Sequence, residues 1–258
     1  MTIGLQNESE KPLYVASWSG GKDSTATIIL AHEKGEPLDL IIFSEVMFDK
    51  DTSGELPEHI EFIHRCKKTF EEWGYPVKIL RSDKTYMDAF NHIVQRSKIP
   101  ERNGKRQGFP LSGKCFVNGV CKLKPIRKFE KEHPNAIHYV GIAIDEPKRL
   151  ERLNDKTISL LAKYGYTEAD AYELCEIYDM LSPVYQYANR GGCWFCPNAK
   201  DGELRHLRDH HRELWNRLLA LEEEEDIVRP VWGAFGKVTL HEKEREFALA
   251  ENQVRWEL

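Results

Sequence analysis

Residues 17–25 read Ser-Trp-Ser-Gly-Gly-Lys-Asp-Ser-Thr, and their types and spacing suit the binding of an anion. They lie between an apolar run at 13–16 and a helix-patterned run at 26–31. Gly20 and Gly21 allow a tight turn, so consecutive backbone N–H groups can face a phosphate at the start of a helix. Further donors come from the side chains of Ser19, Lys22, Ser24 and Thr25. The segment therefore predicts a cradle for a polyphosphate, and its spacing differs from both the Walker loop and the dinucleotide-binding G-x-G-x-x-G.

Four of the six cysteines have spacings that suit a metal centre. Cys193 and Cys196 form a C-x-x-C turn preceded by two glycines, while Cys115 and Cys121 form a C-x₅-C pair within a basic segment. Clustered cysteines in a chain without a secretory signal suggest metal binding rather than disulfides. Four thiolates can complete a tetrahedral Zn²⁺ site or hold a [4Fe–4S] cluster, and the residues alone leave both open.

The other cysteines and the histidines have plainer interpretations. Cys66 and Cys175 lie in helix-patterned runs, which predicts core positions for them. His206, His210 and His211 lie in a helix-like segment, in which the first two have i, i+4 spacing. Because such pairs face solvent more often than they bind a metal, we predict no catalytic role for these histidines.

Composition and charge indicate a cytoplasmic protein. The 258 residues suffice for one sizeable domain or for a domain with a small appendage. No run reaches the length of a membrane span, and residues 1–11 are polar, so neither a membrane segment nor a secretory signal is expected. The net charge is −5, yet residues 96–131 hold eleven Lys or Arg against two Glu. That segment predicts either a surface that gathers anions or a solvated loop.

Apolar runs alternate with helix-patterned runs in the order typical of a parallel sheet. Strands are predicted at 13–17, 38–43, 77–80 and 138–144, and helices at 24–34, 58–73, 86–95 and 124–132. The predicted fold class is α/β, with helices on both faces of a twisted parallel sheet. A nucleotide-binding domain would span 1–181, and a small cysteine-bearing region would span 182–258. Residues 97–120 predict a long loop, either functional or mobile.

The loops after the first, second and fourth predicted strands should converge around a nucleotide, because ligands of such sheets bind at the carboxyl ends of the strands. Within the first of these loops, residues 19–24 resemble the PP-loop of the adenine nucleotide α-hydrolase superfamily. Members of that superfamily typically cleave ATP between the α and β phosphates. The resemblance implies a Rossmann-like fold of the HUP kind and a role for the loop in holding ATP. The residues so implied are Ser19, Gly20, Gly21, Lys22, Ser24 and Thr25.

An acidic segment extends the resemblance to the branch that contains phosphoadenosine-phosphosulfate (PAPS) and adenosine-phosphosulfate (APS) reductases. Residues 54–58, Gly-Glu-Leu-Pro-Glu, resemble the end of a D-T-G-x-E-x-P-E motif, from which the extra Ser53 departs. The resemblance implies Mg²⁺ binding or substrate positioning, since carboxylates beside a triphosphate suit that ion. The residues so implied are Asp23, Asp49 and Glu55. Glu58 has two interpretations, a ligand or a residue that favours the start of its helix.

Residues 141–149, Gly-Ile-Ala-Ile-Asp-Glu-Pro-Lys-Arg, resemble a second motif of that branch, G-x-R-x-x-E-S-x-x-R. Ala143 stands where the family usually has Arg, and Pro147 stands where it usually has Ser. The substitution at 143 removes an arginine that commonly meets the sulfonucleotide anion. The residues that the resemblance still implies for the nucleotide site are Gly141, Asp145 and Arg149.

The order of the cysteines resembles that of the [4Fe–4S] ligands of APS reductases. The resemblance therefore favours an iron–sulfur cluster over Zn²⁺. Its implied ligands are Cys115, Cys121, Cys193 and Cys196. The first pair departs from the family pattern, because five residues separate cysteines that are adjacent in those reductases.

Together these resemblances imply an ATP pyrophosphatase that adenylylates an acceptor, so that a sulfur nucleophile from an unidentified donor can displace AMP. A nucleic acid is one candidate acceptor. Its phosphate contacts would be Arg102, Lys105, Arg106 and Lys114. The first alternative is a sulfonucleotide reductase, although the last cysteine is Cys196 and no cysteine occurs in the tail. The second alternative is a nucleotide-binding redox sensor without turnover. A homodimer is a further expectation.

Overall fold

The computed structural model describes residues 11–232 and 238–256, so the polar segment 1–10 lies outside the described residues, as does the end of the tail. The strands are Leu13–Trp18 (β1), Leu40–Glu45 (β2), Val77–Arg81 (β3), Ala136–Tyr139 (β4) and Thr157–Ile158 (β5). The first five α-helices are Lys22–Lys34 (α1), Pro57–Glu72 (α2), Tyr86–Phe90 (α3), Lys124–Glu132 (α4) and Pro147–Leu150 (α5). The others are Leu160–Lys163 (α6), Glu168–Ile177 (α7), Asp201–His210 (α8), Arg212–Glu222 (α9) and Leu240–Trp256 (α10).

The strands form one sheet in the order β3-β2-β1-β4-β5. Strand β1 pairs in parallel with β2 and with β4, and β4 pairs in parallel with β5. The register places Val15 opposite Leu40 on one side of β1 and opposite His138 on the other. The predicted α/β class with a parallel sheet is confirmed. Because the chain leaves β1 for β2 on one side and later returns to β4 on the other, the switch point lies between β1 and β4.

Side chains of β1 and β2 alternate between two layers of apolar core, as the period of a strand requires. Ala16 and Ile41 belong to a cluster that includes buried residues of α1 and α7. Val15 and Ile42 belong to a separate cluster with Phe129 of α4. Helices therefore cover both faces of the sheet, as predicted.

Several predicted boundaries are wrong. Strand β2 begins two residues later than expected, and α3 ends at Phe90 instead of residue 95. Beyond α3, an antiparallel bridge between Ile93 and Arg106 replaces the helical pattern. The strand predicted at 138–144 is β4 at Ala136–Tyr139, and the apolar residues after it form a turn in which Ile142 N–H bonds the Val140 carbonyl at 3.0 Å.

The segment 97–120 contains a short 3₁₀ turn at Pro100–Arg102 and is anchored by packing. Phe109 is fully buried. A Cβ added at Gly108 would lie 2.4 Å from the Arg229 carbonyl oxygen, so only glycine fits there. A π-helical stretch, Asn118–Leu123, then leads into α4. The long loop predicted from composition is thus fixed in place at its centre.

The chain separates into two compact units, each assembled from several segments. The first unit comprises Met1–Ser44, Glu61–Leu80 and Ile126–Ser182, and the second comprises Glu45–Ile60, Arg81–Pro125 and Pro183–Leu258. Each unit has its own apolar core. The division predicted at residues 181 and 182 stays a prediction. Within the described part of the chain, no helix combines the length and apolar character needed to cross a bilayer.

Candidate nucleotide-binding loop and thiol centre

The predicted phosphate-binding loop joins β1 to α1 in the first unit. Gly20 has a φ of 74°, in the left-handed region that glycine adopts without strain. Gly21 is the N-cap residue of α1 and has extended backbone with no side-chain hydrogen bond to the helix. The first turn therefore lacks the bond that a capping side chain would supply, and its N–H groups suit an anion.

Serine hydroxyls hold the shape of this loop. Ser24 Oγ accepts a hydrogen bond from Ser19 N–H at 3.1 Å and donates one to the Gly21 carbonyl at 2.9 Å. Thr25 is fully buried, and its hydroxyl accepts a hydrogen bond from Trp18 Nε1 at 3.0 Å. These contacts position the loop. Direct bonds from Ser19, Ser24 and Thr25 to a phosphate stay predictions.

Charged groups gather beside the loop. Lys22 Nζ lies 2.7 Å from Asp23 Oδ1 and 3.4 Å from Glu168 Oε2. Burial raises the pKa of Asp23, the Lys22 ammonium opposes that rise, and the charges of Glu168 and Glu146 add to it. Three carboxyl groups therefore lie in the neighbourhood of one lysine. Glu146 is itself paired with Arg149, so Asp23 and Glu168 are the carboxylates that face Lys22 directly, and a role for them in Mg²⁺ binding stays a prediction.

The turn after β4 packs directly on the loop. A Cβ added at Gly141 would lie 2.6 Å from both the carbonyl carbon of Asp23 and the backbone nitrogen of Ser24. Glycine is the residue that permits this approach. The structure thereby brings together two motifs that are far apart in the sequence, at the carboxyl ends of the neighbouring strands β1 and β4.

Asp145 and Arg149 make hydrogen bonds and ion pairs within the first unit, near the turn after β4. Asp145 Oδ1 accepts a hydrogen bond from the Glu168 N–H at 3.1 Å. Arg149 forms an ion pair with Glu146, whose Oε2 accepts a hydrogen bond from the Ala143 N–H at 3.1 Å. These bonds order the turn after β4. Contact of Asp145 and Arg149 with a nucleotide stays a prediction.

The predicted acidic ligands Asp49 and Glu55 belong to the second unit. The Asp49 carboxylate accepts hydrogen bonds from the N–H groups of Asp51 and Thr52, at 2.9 and 2.7 Å, and pairs with Arg217. Burial raises the pKa of Asp49, but these bonds outweigh burial and lower the pKa to about 2. The carboxylate therefore organises its own turn. The Mg²⁺ role of Asp49 and Glu55 stays a prediction.

The four predicted thiol ligands also lie in the second unit. Cys121 is fully buried, and burial raises its pKa to about 11, with a further contribution from Cys115. Burial likewise raises the pKa of Cys115 and of Cys193, and Cys196 adds to both effects. Each thiol is thus within electrostatic reach of another. Four thiols in one unit are the soft donors that iron–sulfur clusters and zinc prefer, and their joint binding of a metal stays a prediction.

Zinc and an iron–sulfur cluster require different separations between their thiolate ligands, and the choice between them stays a prediction here. Tetrahedral Zn²⁺ with bonds of about 2.3 Å requires sulfurs about 3.8 Å apart. Among the described residues, the sole group of three or more metal-ligating side chains gathered within 4.8 Å contains no cysteine. No three of the four thiols are gathered within that distance in the part of the chain that the structure describes. A [4Fe–4S] cluster has its ligands on four different irons and accommodates wider separations.

A buried hydroxyl in the same core supports the fit of a larger group. Tyr86 Oη is buried and has no hydrogen-bond partner within the described part of the chain. Burial raises the pKa of Tyr86 well above its ordinary value, and the nearby Cys115 adds to that rise. An unsatisfied buried hydroxyl calls for a missing polar partner. The donor set and this hydroxyl fit a sulfur-bearing cluster held by the thiols.

One cation of the basic segment, Arg106, is bound by residues of the second unit. Arg106 pairs with Glu224 at 2.8 Å and donates to the Glu225 carbonyl at 2.7 Å. Arg102, Lys105 and Lys114 are exposed. Arg106 therefore has a structural role, and the nucleic-acid contacts of all four cations stay predictions.

Two cysteines lie where the sequence predicted them, whereas one acidic residue beside the nucleotide-binding loop was not predicted. Cys66 and Cys175 are buried, which confirms their predicted core positions. Glu168 beside Lys22 was missed, although Thr167 and Asp170 form a capping box that marks the start of α7 and so places Glu168 in its first turn.

A glycine turn that follows the central strand of a parallel sheet and opens a helix at the switch point places the chain in the α/β, Rossmann-like class. Residues 13–178 match the phosphoadenosine phosphosulfate reductase domain, and the chain belongs to that family. The resemblance stated from the motifs is confirmed. The family takes its name from an enzyme, phosphoadenosine phosphosulfate reductase.

Two relatives come from Methanocaldococcus jannaschii. The uncharacterized protein MJ0973 is 22% identical over 236 residues, which are 84% of this chain and 50% of that protein. The uncharacterized protein MJ0066 is 25% identical over 221 residues, which are 81% of this chain and 41% of that protein. The chain therefore spans about half of the length of these relatives or less.

Two solved structures are also similar. The phosphate complex of PAPS reductase from Candida auris has a TM-score of 0.46 and 11% identity, covering 72% of this chain and 84% of that one. The U34-tRNA thiolase NcsA from Methanococcus maripaludis, solved with its [4Fe–4S] cluster, has a TM-score of 0.40 and 16% identity, covering 92% of this chain and 71% of that one.

Proposed function

We propose that this chain binds ATP at the PP-loop and cleaves it between the α and β phosphates, to adenylylate an acceptor for sulfur transfer. The observation that carries the proposal is the geometry of the loop. Gly20 turns in the left-handed region, Gly21 begins α1 without a side-chain cap, and Gly141 lets the turn after β4 pack on the loop. Such an arrangement would present backbone N–H groups of the loop to a bound polyphosphate.

Lys22 is the group that would stabilise the leaving pyrophosphate. Its ammonium lies at the start of α1 beside the carboxylates of Asp23 and Glu168, and its side chain is only 12% exposed. A bound Mg²⁺ polyphosphate would bring negative oxygens to the lysine and positive charge to the carboxylates. Both changes would lower the electrostatic energy of the site, because each charge would gain a partner of opposite sign.

The proposed reaction has two steps. An oxygen of the acceptor attacks the α phosphorus of ATP, the bond between the α phosphorus and its bridging oxygen breaks, and pyrophosphate leaves with that electron pair. A sulfide-level sulfur donor then attacks the activated carbon of the acceptor, the carbon–oxygen bond breaks, and AMP leaves. No net oxidation or reduction is required of the acceptor.

The thiol centre supports sulfur transfer as the purpose of the activation. Cys115, Cys121, Cys193 and Cys196 would hold a [4Fe–4S] cluster, and the buried Tyr86 hydroxyl in the same core has no hydrogen-bond partner among the described residues. When bound, such a cluster would supply iron–sulfur chemistry suited to handling sulfur. The chain itself provides the thiolate ligands, the apolar surroundings and the fixed backbone turn at 193–196.

A sulfonucleotide reductase is the second candidate, and membership of the PAPS reductase domain family favours it. The same loop would then hold the phosphates of a sulfonucleotide. Ala143 stands where an arginine would meet the substrate's anion, so another group would have to hold that anion.

The test is a product analysis with the full chain, Mg²⁺, ATP labelled at the α phosphate, and bulk tRNA or DNA as acceptor. We expect pyrophosphate, together with AMP or an AMP-linked acceptor. Lys22→Ala should lower pyrophosphate release by about 10²–10³-fold, the usual cost of removing a transition-state charge partner. Lys34→Ala, at the exposed end of the same helix, should match wild type.

Formation of ADP and phosphate would overturn the proposal, as would pyrophosphate release that is unaffected by Lys22→Ala. Release of sulfite from PAPS or APS, with no cleavage of ATP, would establish the reductase instead. Retention of ATP unchanged under every condition would indicate the nucleotide-binding sensor.

A further inference from the structure

Three side chains with metal-binding atoms meet in the second unit, apart from the four thiols. Glu58 lies in the first turn of α2, His206 lies in α8, and His211 joins α8 to α9. The sequence predicted no role for these histidines and singled out the i, i+4 pair His206 and His210. In the structure His206 instead shares a carboxylate with His211, because α8 ends at His210 and the chain turns there.

The geometry places one carboxylate between two imidazole nitrogens. Glu58 Oε1 lies 2.9 Å from His206 Nε2, and Glu58 Oε2 lies 3.0 Å from His211 Nε2. One ligand atom from each residue lies within 4.8 Å of the other two, an arrangement that no other three residues share in the described ranges 11–232 and 238–256. For bonds of about 2.0–2.2 Å, tetrahedral ligand atoms are about 3.3–3.6 Å apart. Small rotations of these side chains would reach that spacing.

A neighbouring tyrosine fixes two of the three ligands. The Tyr187 ring stacks on the His206 ring with centroids 3.6 Å apart and planes 7° apart. The Tyr187 hydroxyl lies 3.4 Å from Glu58 Oε1. One residue therefore restrains both the imidazole plane and the carboxylate, and such support keeps a metal site close to its bound geometry.

The three ligands are shielded but accessible. The exposed fraction is 19% for the His206 side chain, 17% for His211 and 28% for Glu58. An ion from solvent can therefore reach the group. Two imidazoles and a carboxylate are a ligand set that Zn²⁺ accepts, and three protein ligands leave a position for water or for an oxygen of a substrate.

We propose that Glu58, His206 and His211 form a site for one divalent transition-metal ion of the Zn²⁺ class, with an open coordination position. The site is separate in its ligands from the thiol centre, and it does not depend on the function proposed for the PP-loop. The competing interpretation is a structural one, in which two imidazole N–H groups donate hydrogen bonds to one carboxylate and no ion binds.

The experiment is a calorimetric titration of the full chain with Zn²⁺, comparing wild type with the double variant His206→Gln, His211→Gln. Glutamine can still donate a hydrogen bond but is a poor zinc ligand. We expect the double variant to bind one equivalent of Zn²⁺ less than wild type. The matched control is His210→Gln, because the His210 ring lies 4.6 Å from that of His206 but is not among the three ligands. The control should keep the wild-type stoichiometry.

Zinc bound at the thiols is distinguished by a second titration with Co²⁺. Ligands of the histidine and carboxylate type give cobalt d–d absorption without a thiolate-to-cobalt charge-transfer band. We expect the double variant to lose the d–d absorption of the histidine and carboxylate site and to keep any thiolate-to-cobalt charge-transfer band. Equal stoichiometry and equal spectra in wild type and double variant would overturn the proposal.

If the double variant does not fold, crystals of wild type soaked in Zn²⁺ decide the question. An anomalous difference peak at the zinc edge between Glu58 and the two histidines supports the site. Zinc peaks elsewhere, with none between these three side chains, would refute it.

Discussion

Gly141→Ala should disrupt the nucleotide-binding loop through a single methyl group. The added Cβ would lie 2.6 Å from the carbonyl carbon of Asp23 and from the nitrogen of Ser24, whereas comfortable contact begins near ~3.5 Å. Relief requires a displacement of roughly 1 Å, and both contacts are to backbone, which cannot rotate away as a side chain can. Overpacking of this kind costs about 1–3 kcal/mol of unfolding free energy.

The same displacement should weaken nucleotide binding. Because the loop must direct several N–H groups at once, a shift of roughly 1 Å should cost about 10–100-fold in ATP affinity or turnover. ATP affinity is measured by calorimetry and stability by urea denaturation. Gly119→Ala is the matched control, since a Cβ there meets nothing within 4 Å and no left-handed backbone is involved. A Gly141→Ala protein that binds ATP like the control, with wild-type stability, would refute the reasoning.

Three further predictions concern buried or paired polar groups. Asp49→Asn should remove an acid-sensitive interaction: the folded pKa of about 2 lies below the ordinary 3.8, so the wild-type carboxylate stabilises the fold above pH 4 and loses that contribution as pH falls toward 2. We expect about 1 kcal/mol after allowing for solvent screening of a side chain that is 31% exposed, and equal acid denaturation of variant and wild type would contradict this. His138 is buried, and burial lowers its pKa below 6.5, so the unfolded state binds the proton first and stability falls as pH drops below 6.5. His138→Gln should flatten that slope in urea denaturation series, and an unchanged slope would count against neutral His138. Tyr86→Phe should raise the stability of iron-free protein by about 1 kcal/mol, because it removes a buried hydroxyl that lacks a partner in the described residues, and a loss of stability would show that the hydroxyl is bonded.

Local signals in the sequence predicted the elements that carry the nucleotide loop. The glycines at 20 and 21 lie between an apolar run and a helix-patterned run, and Gly35 ends α1 in the left-handed conformation. A glycine signal of this kind, which marks a turn or a helix end, depends on the backbone of a few neighbouring residues. It can therefore be interpreted without knowledge of the rest of the fold.

What the sequence could not show depends on contacts between distant residues. Strand β5 has only two residues, Thr157–Ile158, and is defined by pairing with β4 instead of by a pattern of its own. The approach of Gly141 to Asp23 follows from the adjacency of β4 and β1. Helical spacing in the sequence pairs His206 with His210. The turn at His211, which only the structure shows, instead brings His206 and His211 to the same carboxylate, that of Glu58.

The order of the sheet also governs how the protein is made. Strand β1 is central, but one of its two neighbours, β4, is synthesised long after β2, with Leu13 opposite Ala136. Until that segment leaves the ribosome, one edge of β1 has no partner and its N–H and C=O groups can pair with another chain. Non-local closure of this kind slows folding and exposes nascent chains to aggregation. Expression yield should therefore respond to chaperone supply and to translation rate across residues 81–136 more than to changes on the exposed faces of the helices.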